Sequence, residues 1–241
     1  MRLAFISDIH GNARALEAVL EDIEKRNIDQ LFVLGDISYR GLEPQRSVEM
    51  VRKLDAKVIK GNADEWVVRG VQEGEVPDEV IEGMNDEKDW STSKMTGESV
   101  RYLNDLPKEI NEEFEGVNIH GFHATPGNLF EVVLPTETEE SMKEHLMVNK
   151  MADIYVYGHI HKPYIRHIDG KVVINTGSVG LPFDGLAQPS YAIVDIEDSG
   201  VQTSIVRTNY DLERLVEDVK ASDYPQKDLL SKLLMNASVS K

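Results

Sequence analysis

Leu3-Ala4-Phe5-Ile6-Ser7-Asp8-Ile9-His10-Gly11-Asn12 decides how the rest of the chain is read. The unbroken apolar run Leu3–Ile6 is the pattern of a strand buried on both faces. A polar loop with two metal-competent side chains, Asp8 and His10, follows it. Leu16, Val19, Leu20 and Ile23 then recur at helical spacing, which predicts an amphipathic helix over about 13–26. Leu31-Phe32-Val33-Leu34 is a second buried strand, ended by Gly35-Asp36. Strand, helix and strand of these lengths make a βαβ unit. A second helix is expected over 44–55, and Lys57-Val58-Ile59 is a third strand ended by Gly61-Asn62.

Further along, the character changes twice. Residues 70–112 are rich in Glu and Asp and short of apolar runs, and read as an insertion or cap with one helix between Trp90 and Leu106. Val117–Phe122 and Ile154–Tyr157 are strands, with a helix expected over about 139–149. The second of these strands delivers Gly158-His159-Ile160-His161. Strands at 164–168, 171–174, 191–196 and 202–208 follow, separated by short turns such as Asp169-Gly170, a hairpin signal. A helical tail is expected after about 210. The expected architecture is one α/β domain over 1–241: a four-layer αββα sandwich of two mixed β-sheets with flanking helices.

Composition limits the function. The chain has 241 residues, 41% hydrophobic, with 26 basic and 43 acidic residues and a net charge of -17. So acidic a surface disfavours stable nucleic-acid binding and anionic membranes. With no cysteine there is no disulfide, thiolate zinc site or iron–sulfur cluster. No stretch approaches the ~20 apolar residues of a membrane span, so the chain reads as soluble and cytoplasmic. Nothing in the sequence sets an oligomeric state.

The metal-competent residues are not scattered. Asp8, His10, Asp36, Asn62, His123, His159 and His161 each fall just past the C-terminal end of an expected strand. In open α/β sheets that edge is where sites are built. Taken singly, Asp8 could cap a helix, Asn62 could be a turn residue and Asp36 a solvated strand end. Taken together, in phase, they point to a metal centre. Glycine precedes Asp36, Asn62 and His159, where main chain can approach a ligand closely.

Asp8-x-His10, Gly35-Asp36, Gly61-Asn62, His123 and Gly158-His159-x-His161 resemble, in order and spacing, the calcineurin-like metallophosphoesterases. Asn175-Thr176-Gly177-Ser178-Val179-Gly180 is similar to a turn of the small prokaryotic phosphodiesterases in that superfamily. The resemblance runs from Met1 to about Ile196. It implies two divalent ions: one held by Asp8, His10, Asp36 and His161, the other by Asp36, Asn62, His123 and His159, with Asp36 bridging. A hydroxide between the ions, held beside Asp36 with Asn62 nearby, would attack a small phosphodiester or phosphomonoester. Mixed imidazole, carboxylate and amide ligands suit transition metals, manganese first, with iron, nickel, cobalt and zinc as alternatives. A nucleotide-specific phosphatase, for a dinucleoside polyphosphate or cyclic nucleotide, is the alternative substrate reading, and a catalytically weak scaffold is a further one.

Three details qualify the resemblance. Many members carry a histidine directly after the motif asparagine, where this chain has Ala63. Arg40 stands where it could reach a phosphate, or it could be a solvated loop residue. His120 competes with His123 for one ligand place, and His123-Ala124-Thr125-Pro126 matches the family pattern better. His120 is then expected to be packed and hydrogen-bonded, and His145 and His167 to lie at the surface.

Overall fold

The computed structural model describes residues 1–239. In chain order the first elements are β1 (Arg2–Ile6), α1 (Ala13–Glu24), β2 (Gln30–Val33), α2 (Pro44–Arg52), β3 (Ala56–Val58) and α3 (Asn62–Arg69). Then come α4 (Asp78–Ser93), α5 (Gly97–Asp105), β4 (Glu109–Phe114), β5 (Val117–Phe122), α6 (Glu139–His145) and β6 (Ile154–Tyr157). The last are β7 (Tyr164–Ile168), β8 (Lys171–Asn175), β9 (Ser190–Glu197), β10 (Gly200–Arg207), α7 (Leu212–Ala221) and α8 (Lys227–Asn236).

These strands form two mixed five-stranded sheets, ordered β10-β9-β1-β2-β3 and β4-β5-β6-β8-β7. β1, β2 and β3 run parallel in the first, and β5, β6 and β8 in the second. The other strands join antiparallel, β9 on β1 and β4 and β7 at the edges. Period-two alternation sorts the side chains between layers. Leu3 and Phe5 face the second sheet with Phe32 and Leu34, meeting Ile119, Ile154, Val156 and Ile174. Phe5 and Phe32 stack there with ring centroids 4.6 Å apart. Ala4 and Ile6 point the other way, onto Leu16, Val19 and the rest of the helical layer. The outer face of the second sheet, with Phe122, Tyr155 and Tyr157, is covered by Met142 and Leu146. The four-layer sandwich expected from the sequence is present.

Local chemistry sets the helix ends. The Asn12 side chain accepts from the Ala15 amide at 3.1 Å and starts α1, satisfying an otherwise orphan donor. α1 stops at Glu24, short of the expected 26, where the Arg26 amide folds back onto the Ile23 carbonyl.

The polar stretch departs most from expectation. It holds two helices, α4 and α5, broken at Lys94–Met95, with Thr96 capping α5 through the Ser99 amide at 3.2 Å. α5 is not a cap: it packs on α3 and α2, and its Leu103 is fully buried in the first sheet's helical layer. β4 is the edge of the second sheet, paired along β5. Its sequence hides it, because of Glu109–Phe114 only Ile110 is buried. α3 was not expected either. The expected helix over 139–149 ends at His145, because Leu146 and Met147 turn into the core.

Candidate metal centre

The parallel strands of both sheets end at one edge, and the loops there share an unusual backbone. Asp8 (φ 56), His10 (φ 50), Asp36 (φ 57), His159 (φ 66) and His161 (φ 56) are all left-handed. Each such non-glycine residue costs on the order of 1 kcal/mol and persists only where its surroundings over-determine it. Here the loops brace one another. The Asp8 amide donates to Gly35 O (3.1 Å), the His10 amide to Asp36 O (2.9 Å) and the Gly180 amide to Asp8 O (2.9 Å). Ser178 Oγ donates to Asp8 O at 2.8 Å. The turn Asn175–Gly180 is thus the underside of the Asp8 loop, and Asn175 Nδ2 also donates to Gly158 O at 2.6 Å.

Close approach explains the glycines. A Cβ on Gly158 would lie 1.9 Å from Ser7 Oγ and 2.5 Å from Asp8 Oδ2. One on Gly61 would lie 2.1 Å from Asp36 Oδ1.

All seven expected ligands converge. Asp8, His10, Asp36 and His161 each present one atom within 4.8 Å of the others, and all four are buried. His123 Nε2 lies 3.4 Å from Asp36 Oδ2 and 2.8 Å from Asn62 Oδ1. His159 Nδ1 lies 2.8 Å from the same Asn62 Oδ1.

The donor count shows what such a site could hold. His10 Nδ1 faces Tyr39 O (2.8 Å), His123 Nδ1 faces Leu34 O (2.7 Å), and His161 Nδ1 faces Leu181 O. A carbonyl can only accept, so each Nδ1 carries a proton, and in the neutral form such a ring presents a lone pair at Nε2. The Nε2 atoms of His10 and His161 then meet lone pair to lone pair at 3.1 Å. Asp8 Oδ2 accepts from Ser7 Oγ and from the His159 amide (3.0 Å), while buried Oδ1 finds no donor. Asp36 Oδ1 accepts from the Ala63 amide at 2.8 Å. Its Oδ2 faces His10 Nε2 at 3.5 Å and His123 Nε2 at 3.4 Å. Buried His159 Nε2 also has no partner. Lone pairs aimed at one another in a buried pocket, each ring oriented by a carbonyl behind it, fit cations between them.

Protonation tells the same story. Burial, with His161 nearby, pushes His10 down to about 4. Burial, with His123 nearby, does the same to His159, also to about 4. Both rings are neutral at pH 7 and free to ligate. His123 goes the other way: burial opposes its charge, but Asp36 outweighs burial and lifts it to about 9. Without a cation, a proton sits on His123 between Asp36 and Asn62. Asp36 is held below the usual carboxylate range, burial being overcome by the charge of His123.

Sequence reading missed Asp64. Its buried carboxylate accepts the amides of Asp36 (2.8 Å), Ile37 (2.9 Å) and Gly61 (2.9 Å), tying the ends of β2 and β3 together. Burial and the adjacent Asp36 raise it to about 7. The signal was available: an acid three residues after Gly61, the third position of a starting helix, is the place that returns to bond the cap.

The remaining candidates separate cleanly. Arg40 is also left-handed (φ 69), and its Nη2 and Nε lie 2.7 and 3.0 Å from Glu87 Oε2 of α4. Glu87 is buried and also accepts from Tyr39 OH (3.2 Å) and Tyr224 OH (2.8 Å). The guanidinium is therefore held by a buried ion pair, which the sequence could not show. His120 is packed as expected, with Nε2 2.8 Å from Glu109 Oε2. His167 is exposed, and half-buried His145 pairs with Glu131 at 2.6 Å.

This edge gathers the Asp and His loops the sequence pointed to, and comparisons with known proteins identify the family. The model of the calcineurin-like phosphoesterase superfamily domain matches residues 1–199. The chain belongs to that phosphoesterase superfamily, which supports a hydrolase acting on phosphoester bonds. It is 31% identical, over 93% of its length and 94% of the relative's, to an uncharacterized protein of Methanocaldococcus jannaschii. It is 26% identical to the phosphodiesterase YfcE of Escherichia coli, covering 81% of this chain and 88% of that one. Among solved structures, a metallophosphoesterase from Sphaerobacter thermophilus superposes with a TM-score of 0.78, at 24% identity over 98% of this chain and 99% of the other. A hypothetical protein from Pyrococcus horikoshii superposes with a TM-score of 0.85, at 22% identity and 99% coverage of both chains. These two likenesses concern the fold.

Proposed function

We propose that the protein hydrolyses small phosphoesters with two divalent ions, one on Asp8, His10, Asp36 and His161 and the other on Asp36, Asn62, His123 and His159. The observation that carries this reading is Asp36 Oδ2, set between His10 Nε2 at 3.5 Å and His123 Nε2 at 3.4 Å, where a proton on His123 now holds the place a cation would take. When bound, two such ions acidify a shared water and clamp a phosphate oxygen for in-line attack. The chain's own residues fix the geometry. The Ala63 amide tethers Asp36 Oδ1, so that Oδ2 stays midway between the two sets. The carbonyls of Tyr39, Leu34 and Leu181 hold three imidazoles in one tautomer and one orientation. Nitrogen and oxygen ligands with no thiolate favour manganese first, then iron, cobalt, nickel or zinc. Four positive charges against two carboxylates make the pocket locally cationic in a protein of net charge -17, so an anionic ester can enter.

Ala63 narrows the substrate. Its methyl is fully buried in the core beside Trp66 and Val67, so no side chain there can protonate a leaving group. General-acid help contributes about 10²–10⁴-fold. Esters with good leaving groups, such as aryl phosphodiesters, are therefore the favoured substrates, and the likeness to a phosphodiesterase supports the diester. Arg40, released from or shared with Glu87, is the candidate phosphate contact.

The test is hydrolysis of bis(p-nitrophenyl) phosphate and p-nitrophenyl phosphate with manganese, with chelator, and in Asp36→Asn. Turnover should need the metal and Asp36 and favour the diester. Activity that survives both chelator and the substitution would overturn the mechanism.

A further inference from the structure

The family match ends at residue 199, and the helical hairpin beyond it, α7–α8, has no part in the reading above. It nevertheless reaches the metal centre in two places, once through a loop and once directly. The first is His161. Its Nδ1 donates to Leu181 O, its carbonyl accepts from the Phe183 amide at 3.0 Å, and its ring stacks on Phe183. The ring centroids are 4.4 Å apart and the planes 9° apart. Leu181 and Phe183 pack in one apolar cluster with Leu215, Val219, Leu230 and Leu234 of the hairpin. The Gly185 amide donates to Ala237 O at 2.9 Å, fastening the same loop to the end of α8.

The second place is His10. His10, Arg40 and Gly180 face Leu215, Leu230 and Leu234 across a void of about 10 Å³. A space that small, with one wall of leucines, is at the lower limit for a single water and offers it few partners. His10 therefore faces apolar side chains from outside the family domain, and His161 rests on a loop that those side chains pack against.

We propose that the α7–α8 hairpin is a working part of the metal centre: it positions His161 through Leu181 and Phe183, keeps water from His10, and so sets the metal affinity of that half. The inference rests on the metal reading above. The apolar shell around a metal site controls solvent access, and groups that orient a ligand contribute about 10–100-fold in affinity. Leu230, Leu234 and Phe183 act here as positioning residues.

The experiment is calorimetric titration of the metal-stripped full chain with manganese. Two binding events are expected, and His161→Ala identifies which belongs to this half. Leu230→Ala and Leu234→Ala should weaken that event about tenfold and leave the other unchanged. Leu233→Ala is the matched control: it is in the same cluster but lines a separate cleft with Val80 and Met84. It should leave both events unchanged. Phe183→Leu keeps an apolar side chain, removes the stack, and should weaken the same single event, which keeps the test alive if a leucine variant does not fold. Equal losses in all three leucine variants would reduce the hairpin to general packing and overturn the inference. So would unchanged titrations of Leu234→Ala and Phe183→Leu. A wild-type chain that binds two ions but hydrolyses no ester would defeat the proposed function and leave this inference standing. One that takes up no manganese would defeat both.

Discussion

The two halves of the metal centre are built differently. His10 and His161 both sit in left-handed backbone and both rest on main-chain carbonyls, and α7–α8 backs His10 directly and His161 through Leu181 and Phe183. The other half is looser. Asn62 is the first residue of a helix, and His159 is only half-buried, with its free Nε2 unpartnered. His123 and Asn62 are as buried as the first pair, so the looseness is at His159. On the proposed two-ion reading, one half is a braced, dry seat for a cation, and the other is the side a substrate would approach. Asp36 belongs to both.

That contrast orders the expected effects. Asp36→Asn removes the shared oxygen and should abolish turnover and strip both ions, a loss exceeding the ~100-fold that a merely supporting group contributes. Metal analysis and a diester assay check it; two retained equivalents of metal would break the idea of a shared ligand. Next in size come His161→Ala and His159→Ala. Each should cripple turnover and leave the fold intact, but each should lose a different ion. His161→Ala should keep the ion on Asn62 and His123, and His159→Ala the ion on Asp8 and His10. Competition titrations decide, and identical metal profiles for the two variants would erase the distinction between halves.

Asp64→Asn should act more gently and on both strand ends at once. It replaces an acceptor of three amides by a group that also donates, so metal affinity should fall by about 10–100-fold. Unchanged binding with a lower melting temperature would make Asp64 a folding residue only. Smallest for chemistry is Glu87→Ala, which frees Arg40. Breaking a buried ion pair costs about 3–5 kcal/mol, so chemical denaturation should show a clear loss of stability. The metals should stay bound, since Glu87 touches none of the seven ligands.

How much of this could be read in advance differs by region for physical reasons. Asp8, Asp36, His123 and the His159–His161 pair follow short apolar runs, and such a run is visible without knowing its neighbours. α3 and β4 were not visible. α3 begins on a ligand that reads as a turn, and β4 is an edge strand with one buried residue. Arg40 was legible as a cation near Asp36, but its partner Glu87 lies 47 positions away on a helix with only three buried residues.

By itself, then, the sequence determined the two buried strand sets, the edge at which they end, and the seven side chains carried there. It could do so because burial on both faces demands continuous apolar runs, and loops begin where those runs stop. Only the tertiary structure decided that the Nδ1 of His10, His123 and His161 carries a proton, since a carbonyl from another loop makes that choice. The fold also joined Asp64 to two strand ends, paired Arg40 with Glu87, and laid the C-terminal hairpin against His10 and against the Leu181–Phe183 loop that holds His161. Those contacts cross between distant segments, and no local pattern encodes a partner that only folding brings near.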